Sequence, residues 1–216
     1  MFWSSMSDYK KISNHYKKCL QEHGDGHLGH DWPNRQDLLK RYNTMAELFQ
    51  DKSDVSILDL GCGTGMFLDF LKNSGLIEKN LITYEGADIS QDHIDIASSK
   101  FKENKFYKID VMSESLPRNY DFIIMNGIFT VKMDLDFSSM KEFFETFIKN
   151  IWPQVNCGIA FNVMSKAVDF ERDDLFHLSM DQLATFLCSN ISRYFVVKND
   201  YGLYEYTTYV FKDLRK

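Results

Sequence analysis

Short apolar runs alternate along most of the chain with segments in which apolar residues recur at every third or fourth position. The short runs are typical of strands and cover residues 55–60, 81–87, 106–109, 120–125 and 158–163. The longer spacing predicts helices at about 65–73, 91–102, 137–151 and 181–187. Two further alternating runs, 193–198 and 204–211, are close enough in sequence to pair as an antiparallel hairpin. The pattern predicts an α/β fold with a seven-stranded, mostly parallel sheet, helices on both faces and the antiparallel hairpin at the C-terminus.

An N-terminal region precedes this alternation. Residues 7–21 have helical spacing, residues 22–34 are interrupted by three glycines and a proline and are expected to form a loop, and a second helix follows. We therefore expect one domain over 1–216, with a helical and lid extension over 1–53 and the α/β core over 54–216.

The first strand of the core runs directly into alternating glycines. Gly61, Gly63 and Gly65 follow the apolar run at 55–60. Because glycine has no Cβ, such a segment can turn sharply and let a ligand approach the backbone. Ligands of open α/β sheets bind at the carboxyl ends of the strands, so this turn is the predicted binding site.

The spacing of the glycines narrows the ligand class. Met66 stands where a dinucleotide-binding fingerprint has its third glycine, and no Lys-Ser or Lys-Thr pair follows to hold a nucleotide phosphate. The loop is therefore suited to a ligand without a phosphate group. A nicotinamide-dependent oxidoreductase remains the alternative, as does a binding protein that keeps the fold without catalysis.

The segment Ile57-Leu-Asp-Leu-Gly-Cys-Gly-Thr-Gly65 resembles the first motif of the class I S-adenosylmethionine-dependent methyltransferases, whose fold is Rossmann-like. The resemblance implies that S-adenosylmethionine is the cofactor and that its methyl group is transferred to an acceptor. It also implies that Asp59, Gly61, Cys62 and Gly63 belong to the cofactor site.

Acidic and polar residues follow the next three strands. Asp88, with Ile89 beside it, stands where an acidic residue can accept hydrogen bonds from ribose hydroxyls. The resemblance implies that Asp110 and the backbone N–H of Val111 contact the adenine edge, and that the backbone at Asn126 takes the amino group of the methionine moiety. A helix cap or a turn is the alternative role for either aspartate.

Candidates for the remaining roles lie away from the strand ends. Arg41, in the second helix, is expected to meet the carboxylate of the cofactor, with a solvated helix charge as the alternative. His23 and His27, in the glycine-containing loop, are candidates for a general base that a lid brings to the acceptor. Lys132 could meet an anionic acceptor, and Asn162 is a further pocket candidate. No metal is expected, because the histidines and aspartates of the loop match no familiar zinc spacing.

The acceptor class rests on a looser resemblance that extends over nearly the whole chain. Several segments are similar to those of small bacterial methyltransferases encoded among surface-polysaccharide genes: His23-Gly-Asp, Asp31-Trp32, Arg41-Tyr42, Asn126-Gly-Ile-Phe-Thr and Tyr204-Glu-Tyr. This resemblance implies a small-molecule acceptor, an oxygen of a sugar or of a phosphate or phosphoramidate group in surface polysaccharide (capsule) biosynthesis. The fourth strand lacks the Pro-Pro motif of many enzymes that methylate amide or exocyclic nitrogens. Transfer to nitrogen or to a macromolecule is the alternative.

Composition adds few restrictions. The net charge of −6 with dispersed basic residues argues against a nucleic-acid partner. No run of about 18 apolar residues predicts a membrane span, and the first eight residues lack the basic and apolar regions of a signal peptide. The four cysteines are scattered, as in reduced cytoplasmic proteins. The edge of the hairpin could pair with a second copy, so a homodimer is possible.

Overall fold

The computed structural model describes residues 9–214. The helices of this part of the chain are α1 (Lys10–His23), α2 (Arg35–Ala46), α3 (Met66–Asn73), α4 (Leu76–Lys79), α5 (Gln91–Lys100), α6 (Phe137–Ile151) and α7 (Met180–Asn190). The strands are β1 (Ser56–Leu60), β2 (Thr83–Asp88), β3 (Lys105–Lys108), β4 (Tyr120–Phe129), β5 (Val155–Ser165), β6 (His177–Leu178), β7 (Phe195–Lys198) and β8 (Glu205–Phe211). Residue 7, the expected start of the first helix, lies outside the described residues. So do the first eight residues, which were expected not to form a signal peptide.

The strands form one sheet in the order β3-β2-β1-β4-β5-β8-β7, and β6 adds to the end of β5. The pairs from β3 to β5 are parallel, whereas β8 pairs antiparallel with both β5 and β7. The predicted mostly parallel sheet with an antiparallel C-terminal hairpin is therefore confirmed. The two-residue β6 was not predicted, because so short a pairing leaves no periodic pattern in the sequence.

The central strands are buried on both faces, which explains why their sequences are continuously apolar. Successive side chains of a strand point to opposite faces, and Leu58 and Ile123 pack in one hydrophobic cluster while Ile57 and Ile124 pack in the other. The sheet is thus a three-layer structure with a core on each side.

Strand β4 extends four residues beyond the predicted end at residue 125. The sequence Asn126-Gly127 is typical of a turn, but Gly127 takes a φ of +89° and the strand continues through a shift of register between Met125 and Phe129. This irregularity bends the end of β4 at the edge of the sheet where the predicted site lies.

The N-terminal extension spans both cores. Ile12 of α1 packs in the first cluster, whereas Leu38 and Tyr42 of α2 pack in the second. The segment between these helices, with a one-turn 3-10 helix at Leu28–His30, crosses the carboxyl ends of the strands.

Along the described residues, helices that combine the length and apolarity needed to cross a membrane are absent.

Candidate functional site

A cleft lies at the carboxyl ends of β1, β2, β3 and β4, where the strand order reverses on either side of β1. The empty space inside the cleft and at its open mouth together amounts to about 1100 Å³. Nine of the ten predicted cofactor residues line this cleft: Asp59, Gly61, Cys62, Gly63, Asp88, Ile89, Asp110, Val111 and Asn126.

The glycine loop needs its glycines for both conformation and space. Gly61, Gly63 and Gly65 have φ values of +78°, +53° and +83°, which side chains rarely adopt. A Cβ on Gly63 would lie 2.4 Å from Nε2 of His30. The loop therefore comes closer to the neighbouring segment than any other residue type allows.

Asp88 fixes the position of the loop. Its Oδ2 accepts the N–H of Gly63 at 3.0 Å, and its Oδ1 accepts the N–H of Ser90 at 2.8 Å. Each carboxylate oxygen can accept a second hydrogen bond, so this side chain keeps acceptor capacity toward the cleft.

Asp59 is the most buried carboxylate of the cleft, with 3% of its surface exposed. The pKa of Asp59 is raised to about 7, chiefly because the group is buried; the charge of Asp88 adds to this shift and the hydrogen bond from Tyr84 opposes it. The Tyr84 hydroxyl donates to Oδ2 at 2.6 Å. Near neutral pH this carboxyl group is therefore poised between its neutral and charged forms.

Asp110 is bonded to a residue that sequence reasoning missed. The hydroxyl of Tyr9 donates to its Oδ2 at 2.8 Å, while the N–H of Met112 donates to its Oδ1 at 3.1 Å. The Tyr9 ring stacks on Phe143 with centroids 5.1 Å apart, and both side chains line the cleft. The sequence gives no sign of this contact, because Tyr9 is one of several apolar positions with helical spacing in the predicted first helix.

Asn126 presents an acceptor to the cleft. Its Oδ1 is buried and has no hydrogen-bond partner among the described residues. A buried amide oxygen without a partner is rare in folded proteins, and in a cleft it marks a place for a ligand donor.

His30 and Trp32, on the segment between α1 and α2, cover the cleft. His30 donates from Nδ1 to the carbonyl of Gly26 at 3.0 Å and accepts the N–H of Thr64 at Nε2, at 3.1 Å. Burial lowers the pKa of His30, which keeps the neutral ring that this arrangement requires. Both residues belong to the glycine-containing loop, but the catalytic candidates predicted there were His23 and His27.

The predicted catalytic residues lie outside the cleft. His23 is the exposed last residue of α1, and Nδ1 of His27 donates to the carbonyl of Trp32 at 2.6 Å. Lys132 donates from Nζ to the carbonyl of Leu135 at 2.9 Å. None of the three lines the cavity, because the loop turns His30 inward and Lys132 turns back on its own segment.

Arg41 is held in an internal ion pair rather than at the cleft. Its guanidinium binds both carboxylate oxygens of Glu205 at 2.6–3.0 Å and lies 4.4 Å from the ring centroid of Trp32. Asn162 joins the same network, since it donates to Glu205 at 2.9 Å and accepts the N–H of Gly127 at 2.8 Å. The backbone of Gly127 lies so close to Trp32 that a Cβ there would be 2.7 Å from the indole ring. Asn162 and Gly127 thus connect Glu205 back to Trp32.

Arg41 therefore contacts and positions the ring of Trp32. It is not available to a ligand carboxylate, whereas the sequence had predicted that it binds the carboxylate of the cofactor. Asn162 likewise supports the end of β4 instead of lining the cavity.

The cleft is lined by acidic side chains and not by lysine or arginine among the described residues. Three carboxylates line it, and within residues 9–214 its lining includes neither lysine nor arginine. The remaining walls are largely aromatic and aliphatic. The site is thus suited to a ligand that carries positive charge and hydrogen-bond donors on an apolar body.

Two sequence comparisons match this chain to known proteins. A family model for the methyltransferase domain matches residues 32–154. The Mycobacterium tuberculosis protein Rv1506c, which is named as a methyltransferase, is 28% identical over 159 residues, covering 73% of this chain and 93% of that protein.

Solved structures share the architecture. Magnesium protoporphyrin IX methyltransferase (ChlM) of Synechocystis PCC 6803, crystallised with bound S-adenosylmethionine, has a TM-score of 0.64 at 14% identity, covering 95% of this chain and 97% of that one. The N-methyltransferase NodS of Bradyrhizobium japonicum WM9, in complex with S-adenosyl-L-homocysteine, has a TM-score of 0.63 at 13% identity, covering 94% and 97%. These likenesses confirm the predicted Rossmann-like fold.

Proposed function

The chain belongs to the methyltransferase family, and from that membership we propose that it transfers the methyl group of S-adenosylmethionine to a hydroxyl oxygen of an uncharged sugar. The observation that carries the proposal is the charge of the cleft, with three carboxylates and, among its described lining residues, no cationic side chain. S-adenosylmethionine has a sulfonium cation, an amino group, ribose hydroxyls and a carboxylate, so its net charge is positive, and it has no phosphate that the carboxylates of the cleft would repel.

The polar side chains at the ends of the first four strands have acceptor capacity that suits this cofactor. Asp88 uses one lone pair of each oxygen on the glycine loop and keeps the others for the ribose hydroxyls. The unpartnered Oδ1 of Asn126 and the carboxylate of Asp59 are suited to the amino group of the methionine moiety. Asp110, held by Tyr9, would accept from the adenine edge.

The walls of the cleft favour a neutral acceptor over an anionic one. A phosphate or phosphoramidate acceptor needs a cation, but Lys132 and Arg41 are bonded elsewhere. Around Gly127 the cleft is lined by Tyr16, Trp32 and Ile128, whose apolar surfaces suit the C–H face of a sugar ring. The resemblance to methyltransferases of surface-polysaccharide gene clusters implies either a sugar or a phosphate-type acceptor, and the walls of the cleft favour the sugar.

The chemistry requires little beyond alignment. Methyl transfer is an in-line displacement on an activated carbon, and alignment with exclusion of water can contribute about 7–11 kcal/mol. A hydroxyl acceptor must also lose its proton. The histidines that line the cleft are His30 and His93, not the predicted His23 and His27.

Cofactor binding is the first test. Isothermal titration with S-adenosylhomocysteine should show one site per chain, and Asp88→Asn should weaken binding by about tenfold or more, or about 1.4 kcal/mol. Asp173→Asn makes the same chemical change at an exposed position outside the cleft and should bind normally. Binding of NAD in place of S-adenosylhomocysteine would support the oxidoreductase alternative and refute the cofactor assignment.

Acceptor class is tested by transfer of isotopically labelled methyl groups from S-adenosylmethionine to matched panels of neutral sugars, sugar phosphates and amines. We expect label on an oxygen of a neutral sugar. Label confined to phosphate-bearing compounds would refute the electrostatic argument, and label confined to amines would establish the nitrogen alternative instead.

A further inference from the structure

A second group of potential ligand atoms lies outside the residues that line the cleft. His15 and Cys19 lie one turn apart on the same face of α1, and Asp31 approaches them from the segment that follows the 3-10 helix. Nε2 of His15 lies 2.8 Å from Oδ2 of Asp31 and 3.7 Å from Sγ of Cys19. One donor atom from each residue falls within 4.8 Å of the other two.

We propose that His15, Cys19 and Asp31 form a binding site for Zn²⁺. The donor set is one imidazole nitrogen, one thiolate and one carboxylate oxygen, which suits a borderline-soft ion and not Ca²⁺ or Mg²⁺. Three protein ligands leave the fourth tetrahedral position for water. Zn–N and Zn–O bonds of about 2.0 Å and Zn–S bonds of about 2.3 Å need only small side-chain shifts from the present separations.

Two further features fit a metal site better than a simple ion pair. A hydrogen bond between His15 and Asp31 has no need of a thiol, yet Cys19 is buried with its sulfur directed at the imidazole. The Asp31 side chain is 42% exposed, so an ion has a path from solvent to the buried sulfur.

The site would fix the segment that covers the cleft. Asp31 stands between His30 and Trp32, both of which line the cavity, and His15 precedes Tyr16, which also lines it. A metal ion here would link α1 to that segment from the outer side. The proposed ion takes no part in methyl transfer itself.

Cobalt spectroscopy tests the site. The full-length protein, first treated with a chelator, is titrated with Co²⁺ alone. We expect a thiolate-to-cobalt charge-transfer band in the near ultraviolet, visible bands of tetrahedral cobalt, one ion per chain, and displacement of the cobalt by Zn²⁺.

Cysteine variants identify the ligand. Cys19→Ser should lose the charge-transfer band, whereas Cys188→Ser, which removes an exposed thiol, should keep it. Asp31→Asn, a change at an exposed position, should weaken cobalt binding by at least about tenfold and serves if Cys19→Ser folds poorly. Zn²⁺ should raise the melting temperature of the wild type and of Cys188→Ser.

Absence of the band at saturating cobalt, or its persistence in Cys19→Ser, would overturn the proposal. Cobalt binding is measured without cofactor or acceptor, so this result and the test of methyl transfer can fail independently.

Discussion

Asp59 should make cofactor binding depend on pH in a range where the cofactor itself keeps its charge. Burial raises the pKa of this carboxyl group to about 7, so the free protein holds it largely neutral in mildly acidic solution. A ligand with an amino group at this position favours the ionised form. Binding therefore requires release of the proton, and affinity should fall as the pH is lowered.

The size of the effect follows from the pKa. With a pKa of about 7, the ionised fraction falls from about one half at pH 7 to about 3% at pH 5.5. The affinity for S-adenosylhomocysteine should then fall about 15-fold, or about 1.6 kcal/mol. The effect on folding has the opposite sign, because a carboxyl group with a raised pKa stabilises the free protein below its unfolded pKa and loses that contribution as the pH rises toward 7.

Isothermal titration at the two pH values, in buffers of different ionisation enthalpy, measures both the affinity and the proton released. Asp59→Asn keeps an oxygen that can accept from Tyr84 but has no proton to release, so its affinity should be nearly independent of pH over this range. Asp173→Asn should behave as the wild type does. Equal affinity of the wild type at both pH values, or the same pH dependence in Asp59→Asn, would refute the reasoning.

Two further predictions concern the structure around the cleft. Gly63→Ala should reduce S-adenosylhomocysteine affinity by at least about tenfold in the same titration, because its Cβ would lie 2.4 Å from His30; Gly75→Ala, with a similar positive φ but open space around it, should bind normally. Arg41→Met should lower the free energy of unfolding in urea by about 3–5 kcal/mol, because it leaves Glu205 buried and unpaired, and adding Glu205→Gln should recover much of the loss. Full affinity in the first case, or a double variant as unstable as the single one in the second, would contradict these accounts.

The fold and the gathering of polar residues at the strand ends were predictable because their signals are local. The apolar run at 55–60 and the glycines that follow lie within a few residues of one another, and Asp88 and Asp110 each follow a recognisable strand. Parallel strands end at one edge of a sheet, so residues that follow different strands in the sequence lie close together in the structure.

The covering side of the cleft was not predictable in the same way. Tyr9 meets Asp110 across 101 positions of sequence, and Arg41 meets Glu205 across 164. Neither contact changes the periodicity of the segment that carries it. The histidines His27 and His30 belong to one loop, and only its three-dimensional course decides which of them turns inward.

The position of Trp32 has a consequence for engineering. Its ring is seated by Arg41 of α2 and by the backbone at Gly127 of β4. The turn that precedes Trp32 contributes hydrogen bonds between His27 and the Trp32 backbone, and the ring contacts come from outside that turn. Transplanted turns of other lengths that keep His27 and these hydrogen bonds should therefore remodel the entrance to the pocket while this indole keeps its place, which makes that turn the natural position for a library aimed at new acceptors.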